Sequence, residues 1–122
     1  MDIITREDFL KHQNDRKIVQ DTARQIIKDF ASFNVEVKFP EDLSLAYNDL
    51  FDQLTVIVAG MLEQNTAKLY SILYQIDLSE AAIRKGTFEM KGMTLNDVIT
   101  HLILERELRK VLTKKYFSEG KI

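Results

Sequence analysis

The stretch Leu43-Ser-Leu-Ala-Tyr-Asn-Asp-Leu-Phe-Asp-Gln-Leu-Thr-Val-Ile-Val-Ala-Gly-Met61 decides the fold of this chain. Its apolar side chains recur at alternating intervals of four and three residues, at Leu43, Tyr47, Leu50, Leu54, Ile57 and Met61. That alternation lines up side chains along one side of an α-helix and is typical of helices that pack at shallow angles. We therefore predict a long helix over residues 41–63. Gly60 inside it predicts the close approach of a second helix there.

Two more long helices are predicted, one on each side of this segment. The first covers residues 6–33, where Ile18, Ile26 and Phe30 belong to a broad apolar stripe. The last covers residues 95–117 and begins just after a threonine that can cap it. These three helices predict an all-α bundle.

Shorter elements complete the predicted fold. A helix over residues 66–76 follows the second long helix, with one continuous helix over 41–77 as the alternative. A small turn of helix is predicted at 80–85, ended by Gly86. Residues 34–39 alternate apolar and polar side chains, which favours a brief extended segment.

Composition supports a single helical domain over residues 1–122. The chain contains four glycines and one proline, too few for the many turns that an all-β fold needs. Hydrophobic residues make up 45% and charged residues 30%, which is typical of a globular protein. The 17 basic and 19 acidic side chains leave a formal net charge of −2. That balance argues against a strongly basic nucleic-acid binder.

The compartment is predicted from what the sequence lacks. There is no cysteine, which excludes a disulfide scaffold, thiol catalysis and a thiolate zinc site. The longest nearly apolar run, residues 54–62, is about half as long as a membrane span, which needs roughly twenty residues. The first nine residues carry three acids and one arginine, unlike the basic and then apolar start of a secretory signal. We therefore predict a cytoplasmic protein that does not enter the membrane.

One row of side chains is the candidate for catalysis or metal binding. Asp97, His101 and Glu105 are four residues apart and share one face of the last helix. Helical di-metal sites use a Glu-x-x-His element from two helices, and no glutamate stands three residues before either histidine. Ordinary pairing between neighbouring turns explains the row. We therefore predict no metal, no cofactor and no catalytic residue, and we do not expect an enzyme.

Basic side chains gather in the last helix. Arg106, Arg109, Lys110 and Lys114 lie on successive turns, so several can share an exposed face and contact a phosphate group. The simpler explanation is that cations near a helix C-terminus complement its dipole. A weak nucleic-acid or phosphate-ligand binder is therefore the alternative function. Nucleic acid is not expected as the main ligand, because the net charge is negative and few aromatic residues interleave with these cations.

Apolar faces wider than one packing partner needs point to association. The candidate interface residues are Phe51, Tyr70, Tyr74 and Leu104, since large apolar and aromatic side chains are typical anchors. In a bundle this small, the two most apolar helices cannot both be central. We therefore predict a non-enzymatic protein–protein interaction or scaffold protein that forms a homodimer, with an unidentified protein partner as a further option. The competing account is that the extended segment and the 87–93 loop cover these faces within one chain.

Two stretches carry a resemblance to a known family. They are Leu69-Tyr-Ser-Ile-Leu-Tyr-Gln-Ile-Asp-Leu-Ser-Glu80 and Asp97-Val-Ile-Thr-His-Leu-Ile-Leu-Glu-Arg-Glu-Leu-Arg-Lys-Val-Leu112. Over about the C-terminal half, the chain resembles an uncharacterised family of short all-helical bacterial proteins. The resemblance implies an all-helical cytoplasmic domain and brings no catalytic motif that can be transferred to this sequence.

Overall fold

The chain folds into a small bundle of helices, which confirms the predicted all-α class. The computed structural model describes His12 and residues 15–118, and within those ranges it contains five α-helices and no strand. The helices are α1 (Arg16–Ala31), α2 (Ala46–Gln64), α3 (Thr66–Gln75), α4 (Glu80–Glu89) and α5 (Leu95–Ser118), and a short 3₁₀ turn (Leu43–Leu45) precedes α2. None of these helices is both long enough and apolar enough to cross a membrane.

Helix α5 is the central member of the bundle. Helices α1, α2 and α4 all pack against it, whereas α3 packs on α2 and α1. The wide apolar arc of α5 is covered by these three helices, so Val98, Ile99, Ile103 and Leu104 are buried inside one chain. The surplus apolar face that led to the homodimer prediction therefore has partners within the monomer.

Helix α1 is shorter than the predicted helix over residues 6–33. It begins after Asp15, whose side chain accepts hydrogen bonds from the backbone N–H groups of Lys17 and Ile18. A carboxylate in this position satisfies N–H groups that have no partner within the helix. The rest of the predicted helix before Asp15 lies outside the described residues, apart from His12. At its other end the chain leaves α1 through Asn34, which has a positive φ of 61°.

The connection between α1 and α2 is extended but forms no strand in the part of the chain that the structure describes. Val37 points into the core. The backbone of Lys38 is paired by one side chain: its N–H donates to Gln53 Oε1 at 2.9 Å, and its carbonyl accepts from Gln53 Nε2 at 2.8 Å. The carboxamide of Gln53 thus takes the place that a neighbouring strand would occupy.

Helices α2 and α3 are separate, so the continuous helix over 41–77 is wrong. The side chain of Asn65 accepts a hydrogen bond from the Lys68 N–H at 3.1 Å and caps α3. Helix α2 begins at Ala46, five residues after the start of the predicted helix. The intervening 3₁₀ turn is capped by Asp42, whose carboxylate accepts from the Ser44 N–H at 2.9 Å.

The two glycines inside helices have roles opposite to the predicted ones. Gly86 does not end a helix at 80–85, because α4 continues to Glu89, and Thr87 to Glu89 are therefore neither loop nor extended. A Cβ on Gly86 would lie 2.9 Å from Leu102 Cδ1 and 3.3 Å from Val98 Cγ1 of α5. Gly86 therefore lets α4 approach α5 closely. The predicted close approach at Gly60 is wrong, since a Cβ there would meet nothing within 4 Å.

These glycines should respond differently to the same substitution. Gly60→Ala should raise the free energy of unfolding by about 0.5–1 kcal/mol, because alanine fixes the helical backbone at less entropic cost. Gly86→Ala should raise the free energy of unfolding by less than this or lower it, because Leu102 and Val98 must move to admit the new methyl group. Urea denaturation of both variants checks this ordering. A Gly86→Ala protein at least as stable as Gly60→Ala would contradict it.

Candidate functional site

A cleft of about 810 Å³ lies between α4 and α5. Its size falls within the range of about 300–1,000 Å³ that is usual for ligand sites. Apolar side chains line it at Leu78, Ala82, Met90, Leu102, Leu104 and Leu108, and charged side chains line it at Asp77, Lys85, Glu89, Glu105, Arg106 and Arg109. Tyr47, Gly86 and His101 complete the lining. The cleft is thus apolar in part and carries both signs of charge.

The shape of the cleft follows from how α4 is attached to α5. The chain turns at Asp77, which has a positive φ of 64°, and Arg106 holds this turn against α5. The Arg106 guanidinium lies 3.2 Å from Asp77 Oδ2 and donates to the Asp77 carbonyl at 3.4 Å. At the other end, α4 touches α5 at Gly86. Helix α4 therefore runs antiparallel to α5, and the space between these two contacts stays open.

Two rings and a carboxylate lie together on the cleft lining, at Tyr47, His101 and Glu105, and Phe51 packs against His101 from outside the lining. The rings of Phe51 and His101 lie 4.6 Å apart, tilted by 52°. Burial raises the pKa of the Tyr47 hydroxyl, and the negative charge of Glu105 raises it further. A tyrosine keeps its proton at neutral pH even without such a shift, so the Tyr47 hydroxyl can donate a hydrogen bond to a ligand.

The predicted row on the last helix is only partly in the cleft. His101 and Glu105 line it, and Asp97 does not. Among the described residues there is no group of three or more side chains able to hold a metal ion. The prediction of no metal and no cofactor stays a prediction.

The four predicted phosphate contacts do not share one surface. Arg106 and Arg109 line the cleft, and each faces an acid: Asp77 for Arg106, and Glu105 for Arg109 at 3.9 Å. Lys110 is turned towards α1, into a contact with Asp29 and Glu107. Lys114 also faces α1, where its ammonium donates to Gln25 Oε1 at 3.3 Å.

The four predicted interface residues fall in three environments. Leu104 is only 2% exposed and belongs to the core, so it shows only a small edge to the cleft that it helps to line. Phe51 is half-buried against His101. Tyr70 and Tyr74 are 43% and 88% exposed on α3. They belong to an uncharged outer face, the α3 tyrosine face, which consists of Thr66, Ala67, Tyr70, Ser71, Tyr74 and Gln75.

Sequence reasoning missed a buried polar cluster between α1 and α5. Glu107 is fully buried at 0% exposure, and Asp29 is 5% exposed. The Lys110 ammonium lies 3.3 Å from Asp29 Oδ2 and 3.3 Å from Glu107 Oε1. Glu107 stands four residues from both Ile103 and Val111, inside the apolar stripe of α5. An acid at a core position of a helical pattern is the signal that would have found it.

Comparison of the chain with protein-family models, with curated proteins and with solved structures finds no match. The resemblance to a family of short helical bacterial proteins therefore stays a prediction.

The cluster predicts different results for two neighbouring lysines. Lys110→Met should lower the free energy of unfolding by about 1–3 kcal/mol at pH 7, because it leaves the Asp29 carboxylate buried without its cation. Lys114→Met should change it by no more than about 0.5 kcal/mol, because that side chain is exposed. The Lys110→Met loss should shrink as the pH falls below about 3.8, the ordinary pKa of an aspartate. Lys110 helps to lower the pKa of Asp29, so its benefit is present only while that carboxyl is ionised.

Denaturation with urea at about pH 3 and pH 7 measures both variants. Equal losses for the two lysines at pH 7 would mean that the cluster contributes no more than an exposed contact.

Proposed function

We propose that this chain is a non-enzymatic protein-interaction module that self-associates, with the α4–α5 cleft of one copy receiving the α3 tyrosine face of another. The observation that carries the proposal is the cleft itself, a half-open space of about 810 Å³ with apolar and charged lining residues. Surfaces that bind helices present an apolar groove flanked by polar groups. The cytoplasmic location predicted from the sequence is part of this proposal.

The charges of the cleft suit a neutral occupant. Three basic side chains on its lining are matched by three acidic ones, and two of the acids already face arginines. A balanced set of this kind gives no strong attraction for a ligand of one sign. The α3 tyrosine face carries no charged side chain, so its binding would leave the charges of the cleft balanced. Tyrosine also suits such a site, because its ring can contact apolar side chains while its hydroxyl bonds to polar groups.

The dimensions of the two surfaces agree. The α5 wall of the cleft runs from His101 to Arg109, which is about 12 Å at the rise of an α-helix. Tyr70 and Tyr74 are one turn apart, about 6 Å along α3, so both fit within that length. Tyr74 stands three residues before Asp77, which lines the cleft. In a dimer with a two-fold axis, the cleft of each copy can therefore receive the α3 tyrosine face of the other copy.

Solution mass tests the proposal. At tens of micromolar, sedimentation equilibrium should give about twice the 14.2 kDa of one chain. Tyr74→Lys should shift the population to monomer, because it places a charge on the contact surface. Ala82→Trp should do the same, because it fills the cleft. Circular dichroism of both variants verifies that the helices are intact.

Val56→Lys is the matched control, since Val56 is an exposed apolar residue on α2, outside both surfaces. It should leave the dimer unchanged. A wild-type mass near 14.2 kDa under these conditions would rule out self-association. Dimers that survive both Tyr74→Lys and Ala82→Trp would place the interface elsewhere.

A phosphate ligand is the second candidate function. The observation that favours it is that Lys85 on α4 lines the same cleft as Arg106 and Arg109 on α5, so three cations surround one space. Calorimetric titration with inorganic pyrophosphate should then show saturable binding that Arg106→Gln or Arg109→Gln weakens about tenfold, the loss of one charge-assisted hydrogen bond. Lys114→Gln, outside the cleft, should have no effect. Absence of saturable binding at millimolar pyrophosphate would exclude this candidate.

A further inference from the structure

The buried cluster between α1 and α5 holds two acids and one cation. Asp29 of α1 and Glu107 of α5 both lie 3.3 Å from the Lys110 ammonium. The Gln25 amide donates to both carboxylate oxygens of Asp29 at 3.2 Å. Two ionised carboxylates with one ammonium would leave an uncompensated negative charge inside the protein, which is strongly unfavourable.

A proton held on the pair removes that charge. Burial raises the pKa of Glu107, and the adjacent Asp29 raises it further, to about 8. Burial by itself would raise the pKa of Asp29 as well. The adjacent Glu107 carboxyl group, the hydrogen bonds from Gln25 and the charge of Lys110 outweigh burial, so the pKa of Asp29 is lowered. Both carboxyl oxygens of Glu107 are buried without a hydrogen-bond partner, which also favours the neutral acid over the carboxylate. At neutral pH Glu107 is therefore a neutral acid beside the Asp29 carboxylate, and the pair titrates as a unit.

Among the described residues, the contacts of the cluster run between α1 and α5. Helix α2 meets α5 two turns earlier, where Thr55 and Thr100 are 3.5 Å apart, and α4 meets it at Val98 and Leu102. Asp29 and Lys110 are the charged groups that act on Glu107; the described charges of α2 and α4 are not among them. Whether this proton is bound therefore affects the stability of the α1–α5 contact in particular.

We propose that Asp29, Glu107 and Lys110 form a proton-operated latch between α1 and α5. With one proton shared by the two carboxyl groups, α1 is held on α5. When that proton leaves, two carboxylates face one ammonium across the interface, and α1 separates from the bundle more often.

The latch implies a defined pH dependence. In the separated state Glu107 is hydrated and its pKa is near the ordinary 4.5. The pKa of Glu107 is higher when α1 is docked than when it is separated. The contribution of Glu107 to the α1–α5 contact is therefore largest below about pH 4.5, and it falls as the pH rises to about 8. Over that window the equilibrium constant for separation should rise about tenfold per pH unit, and it should level off above it.

Hydrogen–deuterium exchange of individual amides tests the latch. Exchange is followed by NMR from pH 5.5 to 9 and corrected for the intrinsic rate of each amide. Protection of the α1 amides of Ile26 and Phe30 should fall about tenfold per pH unit up to about pH 8. The α3 amides of Ile72 and Leu73 should stay more protected throughout, since α3 keeps its larger contact with α2 when α1 leaves.

Glu107→Gln is the decisive variant, because glutamine keeps the shape and the hydrogen-bond donor but cannot ionise. Its α1 protection should be independent of pH across this range. Glu105→Gln, on the exposed side of the same helix, is the matched control and should follow the wild type. If Glu107→Gln does not fold, Asp29→Asn replaces it. With no second carboxylate, Glu107 should ionise at lower pH beside Lys110, so that protection levels off well below pH 8.

Three results would overturn the latch. The first is α1 protection in the wild type that does not change with pH. The second is a pH slope that persists in Glu107→Gln or an unchanged levelling point in Asp29→Asn. The third is exchange of α1 and α3 amides in step at every pH, which would mean that the whole bundle opens and α1 is not released on its own.

Discussion

The structure depends on the need to cover α5 on several sides. Its first half carries apolar side chains around more of its circumference than one neighbour can shield. Burying a large aliphatic side chain stabilises a protein by about 1.5–3 kcal/mol, so leaving four of these side chains in water would cost roughly 6–12 kcal/mol, which is comparable to the whole net stability of a domain. Helices α1, α2 and α4 supply that cover within a single chain.

The cleft lies beside a close approach of α4 to α5. Gly86 permits contact with Val98 and Leu102. Further along α5, the side facing α4 carries Glu105, Arg106 and Arg109. Charged groups keep their hydration, so they line an open space and are not packed against the opposite helix. Close packing at the glycine and hydrated charges beyond it produce a groove that is both apolar and charged.

The buried polar cluster between α1 and α5 differs in its energetics from the charge pairs at the surface. Lys17 and Asp21 pair directly at 2.9 Å on the solvent side of α1, where water screens their attraction, so the pair contributes little to stability. Asp29 and Glu107 are shielded from water, so the same kind of charge is tolerated only with a cation and a proton beside it. Burial thereby turns an ordinary glutamate into a group that titrates near neutral pH.

The sequence by itself determined the helical class and the position of the long last helix, and it offered the break at Asn65 with one continuous helix as the alternative. Those features depend on side-chain periodicity and capping, which act between residues a few positions apart. The length of α4, the roles of Gly60 and Gly86 and the pairing of Lys38 with Gln53 were decided only by the tertiary structure. So were the burial of Leu104 and the meeting of Asp29 with Glu107. Each of these depends on which helix lies opposite. Periodicity shows that a side chain will be buried, but it does not show what it will be buried against.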